Sequence, residues 1–478
     1  MDKLYKQNNG HSVQRAYSLD ALRGYAILTM VLSATVAFGI LPAWMYHMQE
    51  PPPSHAYCPE MSGLTWVDLV FPFFLFAMGA AFPFSIRKKF DRGDGYLKLV
   101  LSIIKRGVQL VFFSIFIQHF YPYMLGQPQD TRSWLLAICC FALLFPMFMR
   151  IPVKMPEWVH SLIKLSAYGV ATIMLLSTNY ASGNTFSLYT SNIIILILAN
   201  MAIFGSIVYL FTMYNWKLRV IVLAVIASLI LSSQSVGSWS NILYEYSPLP
   251  WMYRFKYLSY LFIVLPGSIA GDILMQWIKN NDISIKQNET LHKKAFAILF
   301  ISILVILICL IGLYNRWSFI TLILTVFSLF IGRIILRNQT GYGKLWHDLL
   351  LLGALLLVIG LCLEPFQGGI KKDGPTFSYL FVTSGLGCMA LLSFNVICDY
   401  FSCRRATSFL TMSGKNPMIA YVACDLLIYP ILNLTGITRW FDIFTISPWM
   451  GFMKGLLLTS IALLVTIFFT RRKCFWRT

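Results

Sequence analysis

Long runs of apolar residues alternate with short polar stretches along the whole chain. A helix needs roughly 20 mostly apolar residues to cross the hydrocarbon core of a bilayer. On that rule the pattern predicts an all-α, polytopic transmembrane bundle of fourteen helices. They are expected at residues 22–43, 64–86, 105–124, 133–149, 158–178, 191–213, 218–235, 256–277, 295–313, 318–336, 347–363, 376–398, 414–433 and 449–470.

Composition supports this class of protein. Hydrophobic residues make up 58% of the chain and charged residues only 12%, which excludes an ordinary soluble domain. The formal net charge is +19, but basic residues cluster in every second loop, as the positive-inside rule predicts. We therefore expect no nucleic-acid partner and place both termini in the cytoplasm. The clusters lie at Lys3, Lys6 and Arg15, at Arg87 to Arg106, at Arg150 and Lys154, at Lys217 and Arg219, at Lys279 to Lys294, at Arg333 to Lys344, at Arg404 and Arg405, and at Arg471 to Lys473.

The chain is predicted to form a single transmembrane domain over residues 1–478. Two segments, 191–235 and 295–336, are plain Ile/Leu/Val hairpins that we expect to carry no buried charge and to act as scaffold. The first apolar segment is too long for the apolar region of a signal peptide and is predicted to be an uncleaved anchor. The ten cysteines lack CxxC or zinc spacing, so neither a disulfide framework nor a metal site is predicted.

Two ionisable residues near a predicted outer face, His55 and Asp68, carry the candidate chemistry. His55 lies in a Pro-rich loop, and Asp68 lies about one turn inside the second helix. Such groups are costly at a membrane unless they are used. Imidazole suits a general base, and a carboxylate can fix its tautomer and stabilise its cation. The alternatives are a solvated loop histidine and a carboxylate that stabilises the first helical turn.

The segment Ser18-Leu19-Asp20-Ala21-Leu22-Arg23-Gly24 lies at the predicted cytoplasmic start of the first helix. Its structural interpretation is Ser18 as N-cap, Asp20 in the first turn and Arg23 reaching to the interface. The functional alternative is that Arg23 binds the phosphates of an anionic cytosolic donor.

Three outer loops are expected to be unusual; they span 44–63, 236–255 and 364–376. The second is rich in Trp and Tyr, which is typical of an interface belt but would also suit a sugar acceptor. In the third, Lys371, Lys372 and Asp373 break the positive-inside pattern. We therefore hypothesise that these three residues and His47 face the substrate.

The 18–24 segment, His55 and the later stretch Gly63-Leu64-Thr65-Trp66-Val67-Asp68-Leu69-Val70-Phe71-Pro72 resemble the heparan-α-glucosaminide N-acetyltransferase family and its bacterial relatives. Segments 376–386 and 414–422 are similar to further motifs of that family, and 265–271 matches more weakly. The resemblance covers most of the chain in patches. It leaves the two hairpins as additions to a ten-helix core.

The resemblance implies a transmembrane acyltransferase that moves an acetyl group from cytosolic acetyl-CoA to an amino sugar or glycan on the far side, without a metal. The family's catalytic histidine is best matched by His55, although the longer spacing leaves His47 as a rival. Arg23 and Lys415, with Asp20, are expected at the donor site because they lie in matched motifs. Asn416 is a candidate hydrogen-bond donor to the tetrahedral intermediate.

Other expectations remain open at this stage. The family's luminal N-terminal domain has no counterpart here, which favours a bacterial inner membrane, and family analogy suggests a homodimer. The imidazole could act as a base or could itself be acetylated. The alternatives to this function are a transporter for a sugar or anionic solute, and O-acetylation of cell-envelope glycans by the same residues.

Overall fold

The computed structural model describes residues 16–149, 156–183, 185–280 and 289–476. Within these ranges the chain is helical and has no strand, which confirms the predicted all-α polytopic bundle. Its long helices are α1 Tyr17–Thr35, α2 Trp66–Phe90, α3 Tyr96–His119, α4 Thr131–Phe148, α5 Glu157–Ser177, α6 Ile193–Thr212, α7 Trp216–Ser232, α8 Phe255–Asn280, α9 Glu289–Tyr314, α10 Ser318–Ile335, α11 Tyr342–Cys362, α12 Phe377–Tyr400, α13 Pro417–Leu434 and α14 Pro448–Arg471. Shorter helices are Pro122–Leu125, Trp239–Glu245 and Ser408–Lys415, and single 3₁₀ turns include Ala43–Met45 and Phe366–Gly368.

Twelve helices in the described part of the chain are long and apolar enough to cross a membrane. The other two long helices are α1, which contains Asp20 and Arg23, and α7, which has only 17 residues. The expected count of fourteen spans and the cytoplasmic placement of both termini are therefore not confirmed. Part of the basic pattern on which that placement rests lies outside the described residues, namely Lys3, Lys6, Arg15, Arg150, Lys154 and Lys286.

Helix α1 begins and ends earlier than the predicted range of 22–43. Its N-cap is Ala16, and the Ser18 hydroxyl is buried without a hydrogen bond from the described residues, so the interpretation of Ser18 as N-cap was wrong. The Ser18 backbone N–H instead donates to Asp399 Oδ2 at 3.4 Å. Counting apolar residues missed the polar first turn, which is buried against other helices. Because α1 ends at Thr35, His47 lies well beyond the end of the helix, in loop 44–63.

Glycines allow α2 and α8 to approach closely. A Cβ on Gly79 would lie 2.0 Å from the carbonyl oxygen of Val264, and a Cβ on Gly267 would lie 2.3 Å from that of Phe76. Small residues at helix crossings are typical of membrane bundles, because close backbone contact replaces the hydrophobic driving force that lipid removes. This crossing fixes the position of α2, which carries Asp68.

A second close crossing joins α1 to the short helix Ser408–Lys415. A Cβ on Gly24 would lie 1.8 Å from the carbonyl oxygen of Leu410, and a Cβ on Gly414 would lie 2.0 Å from that of Asp20. The C-terminal end of the short helix is thereby held beside the first turns of α1.

We expect Gly24→Ala to destabilise the protein by about 1–3 kcal/mol, because the backbone oxygen of Leu410 cannot move aside for the new methyl group. The matched control is Gly169→Ala in α5, where no atom lies within 4 Å and helix propensity favours alanine by about 0.5–1 kcal/mol. Thermal unfolding in detergent measures both variants. Equal melting temperatures for Gly24→Ala and wild type would contradict the close crossing.

The expectation that segment 191–235 carries no buried charge was wrong. Arg219 of α7 is fully buried, and its Nη2 lies 2.6 Å from Asp272 Oδ2 of α8. Its Nη1 donates to Ser268 Oγ at 3.1 Å, and the Tyr209 hydroxyl donates to Asp272 Oδ1 at 3.0 Å. Because Arg219 lies close to a loop, the sequence pattern places it among the basic residues that follow the positive-inside rule. The pattern alone therefore could not identify this buried pair.

The second hairpin also contributes an ion pair. Arg316, in the turn between α9 and α10, lies 2.7 Å from Glu364 (Nη1 to Oε1), and the Glu364 side chain is 3% exposed. The hairpin turn is therefore attached to the beginning of loop 364–376.

The predicted helix 414–433 is broken at its start. The short helix ends at Lys415, Asn416 has φ −136° and ψ 54°, and α13 begins at Pro417. A proline is well placed at the first position of a helix, but it disfavours the helical conformation of the residue before it. Asn416 is therefore at a bend between two helices.

Candidate functional site

A histidine between two carboxylates lies at the end of the bundle where loops 44–63 and 364–376 meet; we call this end the site end. His47 Nδ1 lies 3.4 Å from Asp68 Oδ1, and His47 Nε2 lies 3.1 Å from Asp373 Oδ2. The His47 side chain is 11% exposed, Asp68 is 1% exposed and Asp373 is 46% exposed. The imidazole thus lies between a buried carboxylate and one that faces solvent.

Asp68 is held by the first turn of α2. Its Oδ2 accepts hydrogen bonds from the backbone N–H and the hydroxyl of Thr65, both at 3.0 Å, which completes a capping box. The hydroxyl of Tyr379 donates to the Asp68 carbonyl oxygen at 2.8 Å. Oδ1 is buried and accepts no hydrogen bond from the described residues. This oxygen faces His47, and Lys372 Nζ lies 3.9 Å from it.

Loop 364–376 brings Lys372 and Asp373 to His47. The Gly63 N–H donates to the Ile370 carbonyl oxygen at 2.9 Å, and the Lys371 N–H donates to Thr376 Oγ1 at 3.1 Å. These bonds join the loop to the start of α2 and to its own end. Lys371 itself is paired with Glu60 (Nζ to Oε2, 3.2 Å). Of the predicted substrate-facing residues, His47 and Lys372 approach Asp68, and Asp373 contacts His47.

Asp373 lies outside the membrane-spanning helices. Burial raises the pKa of its carboxyl, but the His47 imidazole and the Lys372 ammonium favour the charged form more strongly. The pKa of Asp373 therefore lies below its ordinary value. The Asp373 carboxyl that faces His47 is consequently ionised across the neutral pH range.

We expect this contact to stabilise the folded protein fully above about pH 4, the ordinary pKa of aspartate. The contribution should be lost as the pH falls through the lowered pKa of Asp373, because protonation removes the carboxylate. The measurement is the difference in melting temperature between wild type and Asp373→Asn from pH 7 to pH 3. A difference that is the same at every pH would contradict the lowered pKa.

His55 does not meet Asp68. Its ring packs against Phe38 in a tilted arrangement and against Tyr46 edge-on, with centroids 3.9 and 4.6 Å apart. Its Nδ1 lies 3.1 Å from the Glu50 carbonyl oxygen. Its φ of +50° is uncommon for a residue other than glycine. The structure thus brings His47, rather than His55, to the carboxylate that the sequence singled out.

Asp20, Arg23 and Lys415 lie together at the opposite end of α1, where the short helix 408–415 packs. Arg23 Nη1 is 3.8 Å from Asp20 Oδ1. Arg106 of α3 lies close enough to Arg23 for electrostatic repulsion, and its Nε is buried without a hydrogen bond from the described residues. This end of the bundle therefore gathers cationic groups from three helices.

Asn416 also lies at this opposite end, so the structure does not bring it to His47 or His55. Its Nδ2 donates to the Cys474 carbonyl oxygen at 2.8 Å, and its Oδ1 accepts from the Trp476 N–H at 3.3 Å. Its amide is thus engaged by the segment that follows α14.

A cavity of about 710 Å³ opens at the site end next to Asp373. Its walls combine residues of the three expected outer loops with aromatic and amide side chains, among them Tyr57, Asn241, Tyr244, Trp251, Tyr257 and Gln367. Arg254, Lys256 and Glu245 also line it. Such a mixture of flat apolar surfaces and hydrogen-bonding groups suits a polar ligand with apolar faces.

Fold and site together define a polytopic helical membrane protein with a carboxylate-flanked histidine at one end and a cationic cluster at the other. Residues 15–274, more than half of the chain, match the family described as "Domain of unknown function (DUF5009)", and the chain belongs to that family. Over 106 residues it is 32% identical to heparan-alpha-glucosaminide N-acetyltransferase of Mus musculus. That match covers 22% of this chain and 14% of the relative's length. The chain is therefore a distant relative of an acetyltransferase.

Proposed function

We propose that this protein is a transmembrane acetyltransferase, which moves an acetyl group from acetyl-CoA at the Arg23 end to an amino sugar or glycan at the site end. The observation that carries the proposal is the position of the His47 ring. It lies between the buried Asp68 and the half-exposed Asp373, at the edge of an aromatic cavity. The distant relationship to an N-acetyltransferase supports the reaction class. The proposed setting is a bacterial inner membrane.

In this proposal His47 is the general base. The acceptor nitrogen or oxygen attacks the thioester carbonyl, its proton passes to His47 Nε2, and the carbon–sulfur bond breaks. The proton then passes to the departing CoA thiolate. This role needs an Nε2 without a proton, and therefore a proton on Nδ1 facing Asp68. The buried Asp68 Oδ1, 3.4 Å away and lacking a hydrogen bond among the described residues, favours that tautomer.

The Gln49 backbone N–H also faces Nδ1, at 3.0 Å, and favours the other tautomer, with the Nε2 proton directed at Asp373. Binding of a neutral acceptor amine between Nε2 and Asp373 would remove this alternative, because the amine donates one N–H to each group and keeps its lone pair for the attack. Asp68 would then stabilise the imidazolium that forms.

The acceptor is proposed to occupy the 710 Å³ cavity, whose size lies within the range of about 300–1,000 Å³ found for sites that enclose drug-sized ligands. Trp251, Tyr244 and Tyr257 offer ring faces on which sugar CH groups can pack, and Asn241 and Gln367 offer amides for hydroxyl groups. Asp373 belongs to both the cavity and the His47 site, which directs the reacting group of the acceptor to Nε2.

The CoA phosphates are proposed to bind Arg23, Arg106 and Lys415, since phosphate binding needs several cationic hydrogen-bond donors. We expect Arg106→Gln to raise KM for acetyl-CoA about tenfold or more, the cost of one charged hydrogen bond. KM for the acceptor should be unchanged. Arg132→Gln, at the site-end start of α4, is the matched control. Equal acetyl-CoA KM values for the two variants would contradict the donor site.

The first experiment uses purified protein in detergent, radiolabelled acetyl-CoA and a panel of amino sugars and neutral glycans. Label on an amino sugar supports N-acetylation, and label only on neutral glycans supports O-acetylation. If acetyl-CoA is neither bound nor consumed with any acceptor, the proposal is wrong, and transport of a sugar or anionic solute becomes the leading function.

A further inference from the structure

Gln49 connects the two sides of the His47 site. It is 1% exposed and follows His47 by two residues. Its side-chain Oε1 accepts from the Asp373 N–H at 2.8 Å, and its Nε2 donates to the Asp373 carbonyl oxygen at 3.2 Å. The carboxamide therefore pairs with the backbone of Asp373 in the way one strand residue pairs with another.

The same residue is fixed by its own loop. The Gln49 carbonyl oxygen accepts from the Cys58 N–H at 2.8 Å, and Nε2 donates to the Pro59 carbonyl oxygen at 3.4 Å. The Gln49 backbone nitrogen lies 3.0 Å from His47 Nδ1. Both the backbone and the side chain of Gln49 are thus engaged in contacts. Its backbone contacts one nitrogen of His47, and its side chain holds the loop whose carboxylate reaches the other.

Few other side chains could make this pairing. The Asp373 backbone offers one donor and one acceptor side by side, and a carboxamide presents the complementary acceptor and donor. Glutamate would lack the donor, and methionine would lack both. Gln49 is buried and the pairing is partly buried, so loss of either half removes a hydrogen bond from a backbone group that is only partly open to water.

We propose that Gln49 is a positioning residue for the acetyl transfer proposed above, on which this inference rests. It holds the Asp373 backbone so that the carboxylate stays 3.1 Å from His47 Nε2. The start of the same loop is held independently by the ion pair between Arg316 and Glu364. The Tyr57 hydroxyl approaches the Asp373 carbonyl oxygen at 3.5 Å, but the Gln49 carboxamide binds both the N–H and the carbonyl oxygen of Asp373. Gln49 therefore fixes the part of the loop that carries the carboxylate, whereas the ion pair attaches the start of the loop.

The test is Gln49→Met, which keeps the length of the side chain and removes both hydrogen bonds. We expect kcat/KM for the acceptor to fall about 10- to 100-fold, because small displacements of reacting groups are costly. KM for acetyl-CoA should be unchanged. The control is Gln276→Met, an exposed glutamine near the other end of α8. If Gln49→Met does not fold, Gln49→Asn, which keeps an amide, takes its place.

A double-variant cycle separates positioning from general stability. If Gln49 acts through the Asp373 carboxylate, Gln49→Met should cost less than about threefold in an Asp373→Asn background, because no carboxylate is left to position. The same full loss in both backgrounds would overturn the inference.

A second readout does not depend on turnover. The acid-dependent difference in melting temperature between wild type and Asp373→Asn should shrink when Gln49→Met is present in both proteins. If wild type does not turn over acetyl-CoA, the proposed function fails, and this measurement still decides the inference. An unchanged acid dependence would show that Gln49 does not position Asp373.

Discussion

His47→Ala is expected to lower kcat for acetyl transfer about 100- to 10,000-fold, the usual contribution of a positioned general base. The protein should remain folded, because His47 is partly exposed and the capping box with Thr65 still holds Asp68. The variant should bind acetyl-CoA as wild type does, since the proposed donor site lies at the opposite end of α1. Single-turnover measurements with labelled donor test the rate, and equilibrium binding tests the donor site.

The matched comparison is His55→Ala. His55 packs on Phe38 and Tyr46 and makes no contact with Asp68, so we expect its loss to affect acetyl transfer by less than about tenfold, as for a residue outside the reacting groups. The opposite result, with a severe loss in His55→Ala and a mild one in His47→Ala, would return the base role to the histidine favoured by the sequence. Equal severe losses would point to a two-histidine mechanism.

Much of the fold could be predicted because membrane-spanning helices leave a strong one-dimensional signal. The all-α bundle follows from the length and spacing of apolar runs. Helix ends were less predictable: α1 begins with a buried polar turn, and α13 is separated from Lys415 by the bend at Asn416. In both places tertiary packing and proline geometry, rather than hydropathy, decide where the helix begins.

For the candidate site, the sequence identified the residue types but not the partners. Asp68 and its neighbouring histidines were recognisable because ionisable groups at a membrane face need a reason to be there. The choice between His47 and His55 depends on how a Pro-rich loop folds, which no periodicity encodes. Gln49 was missed entirely, since its partner is a backbone 324 residues away. A lone glutamine in a loop gives no sequence signal of such a pairing.

The buried pair between Arg219 and Asp272 should have the largest effect on stability. We expect Arg219→Met to destabilise the protein by about 3–5 kcal/mol, because removing one partner leaves a buried carboxylate without its counter-charge. The guanidinium also lies 4.6 Å from the ring centre of Tyr209. Thermal or denaturant unfolding in detergent measures the loss.

The double variant Arg219→Met/Asp272→Leu tests whether charge, rather than packing, causes that loss. Replacing both members of a buried ion pair by apolar residues is often neutral or stabilising, so we expect the double variant to recover most of the lost stability. Helix α7 has 17 residues and is shorter than the twelve described helices that are long and apolar enough to cross a membrane. We therefore expect protease to cleave the single variant first in α7. A single variant as stable as wild type would mean that apolar packing alone holds α7 against α6 and α8.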